Sequence, residues 1–263
     1  MAYSAIRFYF KLLKMSIKAQ LRQPIALWLM FFSHFAATSI DLIGIAILFH
    51  RFHAIGSWRL EEVALLYGVV HMAFAIAECL SRGFDQFSWQ IKSGQFDRLL
   101  LRPRSAPLQV AAIEIQLLRL GRFLQGFLVL NYAIYSLSLN LGPAQILLLF
   151  SAVIGAACLF YSLFVLQAAL SFWTVESLEM MHVFTYGGVE TAQYPIFIYQ
   201  DWLKRFFIFI VPLASITYFP ISYLLQKEAN LLYPFLPALG PAFLWLAFKV
   251  WAIGQRRYTS AGS

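Results

Sequence analysis

Three carboxylates, Asp41, Glu78 and Glu190, stand inside long apolar runs of this chain. A charged side chain at that depth costs roughly 2.5–3.5 kcal/mol on insertion scales, so each must face protein, a water-filled cavity or a basic partner. One chemistry open to the three is attraction of cationic amphipathic molecules along a path through a membrane. The plainer alternative is local neutralisation, and Arg82, one turn from Glu78, is placed to supply it. His50 and His53 are three apart at the end of an apolar run, and read as interfacial histidines rather than metal ligands. Cys79 and Cys158 each fall within apolar stretches and suggest neither a disulfide nor a metal cage. The sequence contains no G-x-x-x-x-G-K-[ST] loop, no H-E-x-x-H, no paired C-x-x-C and no G-x-S-x-G. Nucleotide hydrolysis by the P-loop route is therefore outside its own means, and no cofactor is expected on the chain itself.

The elements that position these residues are those of an all-α, polytopic membrane protein. Of 263 residues, 61% are hydrophobic and only 12% charged, about half the charged share of a soluble domain. The net charge of +8 is dispersed at the ends of apolar segments, which fits orientation signals and anionic headgroups rather than nucleic acid. Spans need about 20 mostly apolar residues. Runs at 25–50, 63–81, within 108–139, 144–173 and 231–251 qualify, the third interrupted by Arg119 and Arg122. Between residues 176 and 225 the remaining span is either 178–198, followed by a re-entrant hairpin broken at Pro212 and Pro220, or 206–225. Either choice gives six crossings with both termini on one side. With the N-terminus inside, the hairpin choice leaves only five of the 20 Lys and Arg outside, so both termini are expected in the cytoplasm.

Ahead of the first span, residues 3–22 carry Arg7, Lys11, Lys14, Lys18 and Arg22 in one stripe, with Ile6, Phe10, Leu13, Ile17 and Leu21 beside it. That spacing predicts an amphipathic helix lying in the interface, retained rather than cleaved as a signal or transit peptide. Between the second and third spans, residues 84–104 mix aromatic, acidic and basic side chains. Gly94 can end one short helix there and Pro103 the next. Phe96, Leu99 and Leu100 share a face at helical spacing while Asp97 and Arg98 point elsewhere, which suits either a docked partner or lipid.

The run Ile91-Lys92-Ser93-Gly94-Gln95-Phe96-Asp97-Arg98-Leu99-Leu100-Leu101-Arg102-Pro103 resembles the cytoplasmic loop of type-2 ABC exporter permeases. A second stretch, Tyr194-Pro195, Asp201-Trp202-Leu203-Lys204-Arg205 and Val211-Pro212-Leu213, is similar to that family's pattern leading into a re-entrant hairpin. The resemblance spans nearly the whole chain, and is most specific to a bacterial subgroup of small permeases, some linked to drug or viologen export. One departure is the polar content of the presumed fifth span, with Gly187, Gly188, Glu190 and Gln193.

The resemblance implies a single permease domain over residues 1–263 in a bacterial inner membrane. It implies a dimer with itself or a related chain, and a separate P-loop ATPase subunit that carries the ATP and Mg. Gly94, Phe96, Asp97, Arg98, Leu99, Leu100 and Pro103 would form the coupling contact. Pro195, Trp202 and Pro212, with the hairpin at 202–225, would form the outer gate. The rival readings are a non-transporting membrane scaffold that recruits a cytosolic partner and, more remotely, an enzyme acting on lipids.

Overall fold

A computed structural model describes residues 2–174 and 178–259. Glu176, in the stretch with two possible span assignments, lies outside them, as do the side chains of Ile6, Arg7 and Phe10. The described residues form helices and short turns, with no strand beyond an isolated bridge between Ile55 and Trp58.

Helix α1 (Ala2–Gln20) is the amphipathic element, with Lys11, Lys14 and Lys18 exposed and Leu13 and Ile17 half-buried. Helix α2 (Pro24–Phe52) starts on a proline, whose missing N–H costs nothing in a first turn. Helix α3 (Leu60–Asp85) starts where the Glu62 carboxylate accepts the Arg59 N–H at 2.8 Å. It is almost wholly enclosed and forms the axis of the bundle, whereas α2 is bare along most of its length. Helices α4 (Phe87–Lys92), α5 (Gln95–Leu100) and α6 (Ala106–Ala111) are short and follow the C-terminal end of α3. Helix α7 (Leu120–Ser136) and helix α8 (Pro143–Leu170) both pack along α3. Helix α9 (Leu178–Ala192), the bent pair around α10 (Asp201–Arg205), α11 (Leu213–Ile216) and α12 (Tyr218–Leu224), and α13 (Leu239–Arg256) complete the bundle.

Four helices are long and apolar enough to cross a membrane, or up to five if the bent pair counts as one span. Six crossings are therefore not established by length and composition: α7 has 17 residues and the described part of α9 has 15. The third span departs from expectation for a physical reason. A continuous helix from residue 108 would carry Glu114, Gln116 and Arg119 into hydrocarbon. Instead α6 stops at Ala111, the Ala112 and Ile113 N–H groups close its last turn, and residues 114–116 run outside any helix into a single 3-10 turn at Leu117–Arg119.

Backbone groups freed in this way must find partners. The α1 side chains supply most of them. Ser16 Oγ accepts the Ile115 N–H at 3.1 Å, Gln20 Oε1 accepts the Leu117 N–H at 3.0 Å, and Gln20 Nε2 donates to the Ile115 carbonyl. The Gln116 N–H goes to the Cys79 carbonyl of α3 at 3.1 Å. The amphipathic helix α1 is thus bolted to the segment between α6 and α7. At the opposite end of the last span, Gly240 of α13 lies against Gly155 of α8 so closely that a Cβ would overlap the Gly155 carbonyl. We expect Gly240→Val to force α8 and α13 apart at a cost of about 1–3 kcal/mol, read as a lower midpoint of thermal unfolding in detergent.

Candidate functional site

The end of the bundle where α3 finishes is built first by aromatic packing. Gly94 adopts φ +65°, a left-handed turn that side chains resist, and this folds α5 back against α4. The fold-back drives Phe96 into a fully buried nest of Phe87, Phe172, Trp251 and Tyr258, with ring centroids 4.9, 5.6, 6.4 and 5.1 Å away. Asp97 Oδ1 accepts the Tyr258 hydroxyl at 2.9 Å. The expectation that Phe96 shares an exposed face with Leu99 and Leu100 is corrected here. Phe96 and Asp97 anchor the loop to α8, α13 and the segment after each, so neither is free to meet a partner.

Two glutamines complete the platform. Gln90 Nε2 donates to the Gly83 carbonyl at 2.9 Å, and Gln109 Nε2 donates to the carbonyls of Leu99 and Arg104 at 3.1 and 3.2 Å. What the platform leaves outside is Leu101, 86% exposed, with Leu100, Arg98 and Pro103 around it and Trp89 on the preceding helix. Leu99 is half-buried. Leu101 and Trp89 were not singled out by helical spacing. Leu101 caps α5 rather than continuing it, so the i, i+3, i+4 face counted from Phe96 ends before it.

The three intramembrane carboxylates separate into two groups. Glu78 is only 4% exposed and lies between α3, α7 and α9. Its oxygens meet Arg119 Nη1 at 2.9 Å and Arg122 Nη1 at 3.3 Å, and one accepts the Tyr186 hydroxyl at 3.0 Å. Arg122 also stacks over the Phe74 ring at 5.0 Å. Arg82 does not neutralise Glu78; it pairs with Asp85 at 2.6 Å, three residues on along the helix. The two arginines that interrupt the third span are therefore the counter-ions of the second, a match that spans 41 and 44 residues of sequence.

Asp41 and Glu190 behave differently. Both are exposed, on α2 and α9, and near enough to interact electrostatically. Glu190 accepts Gln193 Nε2 at 2.7 Å, and Gln193 Oε1 meets His71 Nε2 at 3.0 Å. Behind them Tyr67 stacks on His71 at 3.8 Å between ring centroids, and its hydroxyl donates to the Thr38 carbonyl at 2.7 Å. A polar seam thus runs from α2 across α3 to α9, with its acidic end open.

The bent pair turns by 67° between Ile210 and Leu213, where Pro212 sits buried. Ser215 Oγ donates to the Ile208 carbonyl at 2.9 Å, relieving one acceptor left by the break. Pro195 opens the short turn Ile196–Ile198, and Trp202 is 66% exposed. Lys227, just beyond the pair, binds Glu62 at 3.0 Å and the Ser57 carbonyl at 2.7 Å. With Trp58 stacked on Tyr218, this fastens the pair to the loop between α2 and α3.

Removing one partner of a buried ion pair leaves the other uncompensated, at about 3–5 kcal/mol. Glu78→Gln should therefore lower the thermal midpoint in detergent far more than Asp41→Asn, whose carboxylate has no such enclosure.

No curated protein and no solved structure matches this chain. Residues 35–262 match the family model described as "ABC-2 family transporter protein", which takes in α3 through α13 and most of α2. With the apolar bundle already described, that match makes the chain a member of the ABC-2 transporter family and a membrane-embedded permease subunit of an ABC transporter.

Proposed function

We propose that this permease exports a hydrophobic or cationic amphipathic small molecule, driven by ATP hydrolysis on a separate P-loop subunit. The observation that carries the reading is the open pair Asp41 and Glu190. Two carboxylates exposed at membrane depth are costly against lipid, so the face they occupy is one that another permease chain and an aqueous path cover. The path then runs along α2 and α9 at a dimer seam, with the second subunit either a copy or a related chain. A pair of acidic groups in a low-dielectric setting favours cations. Glu78 serves the same path from behind, by holding α9 through Tyr186.

The coupling contact lies at Leu100, Leu101 and Pro103, the apolar tip that the platform presents. Gly94, Phe96 and Asp97 hold that tip in place, and Arg98 and Leu99 flank it. Closure of the ATPase subunits pushes on the tip and re-orients the bundle between inward- and outward-facing states. At the outer end Pro195, Trp202 and the 67° bend at Pro212 form the gate. Both termini then lie in the cytoplasm of a bacterial cell, with the membrane being its inner one. Nothing in the fold favours the rival scaffold reading.

The test is ATP hydrolysis by the reconstituted complex in the presence of a lipophilic cation and, separately, of a neutral analogue of similar size. In the double variant Asp41→Asn, Glu190→Gln, stimulation by the cation should fall about tenfold or more, with stimulation by the neutral compound retained. Equal stimulation by the cation in native and variant complexes would remove these carboxylates from the path.

A further inference from the structure

Where α1 crosses the inner platform, a cavity of about 400 Å³ opens between α1, α5 and α6. Its walls differ in chemistry. Leu12, Met15 and Ile113 form the apolar side, and Met15 and Ile113 remain 60% and 44% exposed. Arg98 and Arg102 form the other side, and neither guanidinium has a carboxylate partner among the described residues. Gln109 also lines the cavity. It is 2% exposed, its amide nitrogen is committed to two backbone carbonyls, and its Oε1 accepts no hydrogen bond among the described residues.

We infer that this cavity is a binding site for one anionic phospholipid with a hydroxyl-bearing headgroup. The phosphate would accept from Arg98 and Arg102, a headgroup hydroxyl would donate to Gln109 Oε1, and an acyl chain would lie along Leu12, Met15 and Ile113. Depth supports lipid rather than a soluble anion. The exposed Lys11, Lys14 and Lys18 place α1 at headgroup level, and the apolar wall gives a free phosphate nothing to bury. Two uncompensated guanidinia fit an anionic headgroup and disfavour a zwitterionic one. The occupied site would brace α1 against the coupling tip, so the lipid becomes part of the surface that meets the ATPase. The proposal does not depend on the transport reading, since lipid binding is a property of the isolated permease.

The full-length permease is purified from vesicles of equal parts phosphatidylglycerol and phosphatidylcholine, and the lipids it retains are counted by native mass spectrometry. The native chain should hold one phosphatidylglycerol in preference to phosphatidylcholine. Arg98→Gln with Arg102→Gln should reduce that preference by roughly thirtyfold, from two basic side chains near the surface, while Lys14→Gln leaves it within about twofold. Arg98→Lys with Arg102→Lys, which keeps both charges, should retain most of it and shows that loss in the glutamine variant is not misfolding. Equal retention of both lipids by the native chain would overturn the proposal. So would unchanged retention in the glutamine variant, loss in the lysine variant as well, or displacement of the lipid by inorganic phosphate.

Discussion

A peptide group that enters hydrocarbon must bring its hydrogen-bond partner with it, and this chain breaks its helices twice where that rule applies. At residues 114–116 the partners come from Ser16 and Gln20 of α1 and from the Cys79 carbonyl; at the Pro212 bend, Ser215 takes up the Ile208 carbonyl. The first repair has the larger consequence. It ties α1 to the start of α7, and it places α1 beside α5 and α6. Helices α4 to α6, the cavity beside α1, the C-terminal end of α3 and the start of α7 all meet at this one junction.

Charge follows the same economy. Leaving the helix at residue 111 lets Arg119 and Arg122 enter the bundle one and two turns later at the level of Glu78, so three charges satisfy one another with a tyrosine from α9. Buried ion pairs of this kind seldom add much net stability over an apolar core, but they fix register, because any sliding of α7 on α3 would strand a charge. Among the described residues, Asp41 and Glu190, by contrast, form no ion pair. Their exposure separates carboxylates that hold the bundle together from carboxylates available to something outside this chain.

Much of this was legible in the sequence. The ends of α2, α3 and α8 fall within about four residues of the hydropathy limits, because unbroken apolar runs leave a helix little choice, whereas the last run, expected from residue 231, opens as a 3-10 turn and α13 itself begins only at Leu239. Gly94 and Pro103 bracket α5 as their backbone preferences require. The break at 114–116 was visible only as polar residues interrupting a span, since its repair depends on Ser16 and Gln20, nearly 100 residues away. Phe96 was misread for a similar reason. Periodicity reports which residues share a face but not which way the face turns, and the nest of Phe87, Phe172, Trp251 and Tyr258 is assembled from three distant segments. Asp97, expected off the apolar face of Phe96, Leu99 and Leu100, is held by Tyr258 from a segment 161 residues away.

If the buried Phe96 is an anchor and the exposed leucine tip is the contact, then recovery of the ATPase should follow Leu101. The most direct measurement is co-purification of a P-loop ATPase with the tagged full-length chain from its native membrane, beside Leu101→Asp, with the monodispersity of each permease checked by size-exclusion. Recovery with the native chain, and its loss with a monodisperse Leu101→Asp variant, is the result expected. Undiminished recovery with Leu101→Asp would contradict the placement of the coupling surface, and no ATPase with the native chain would contradict the ATP-driven mechanism itself.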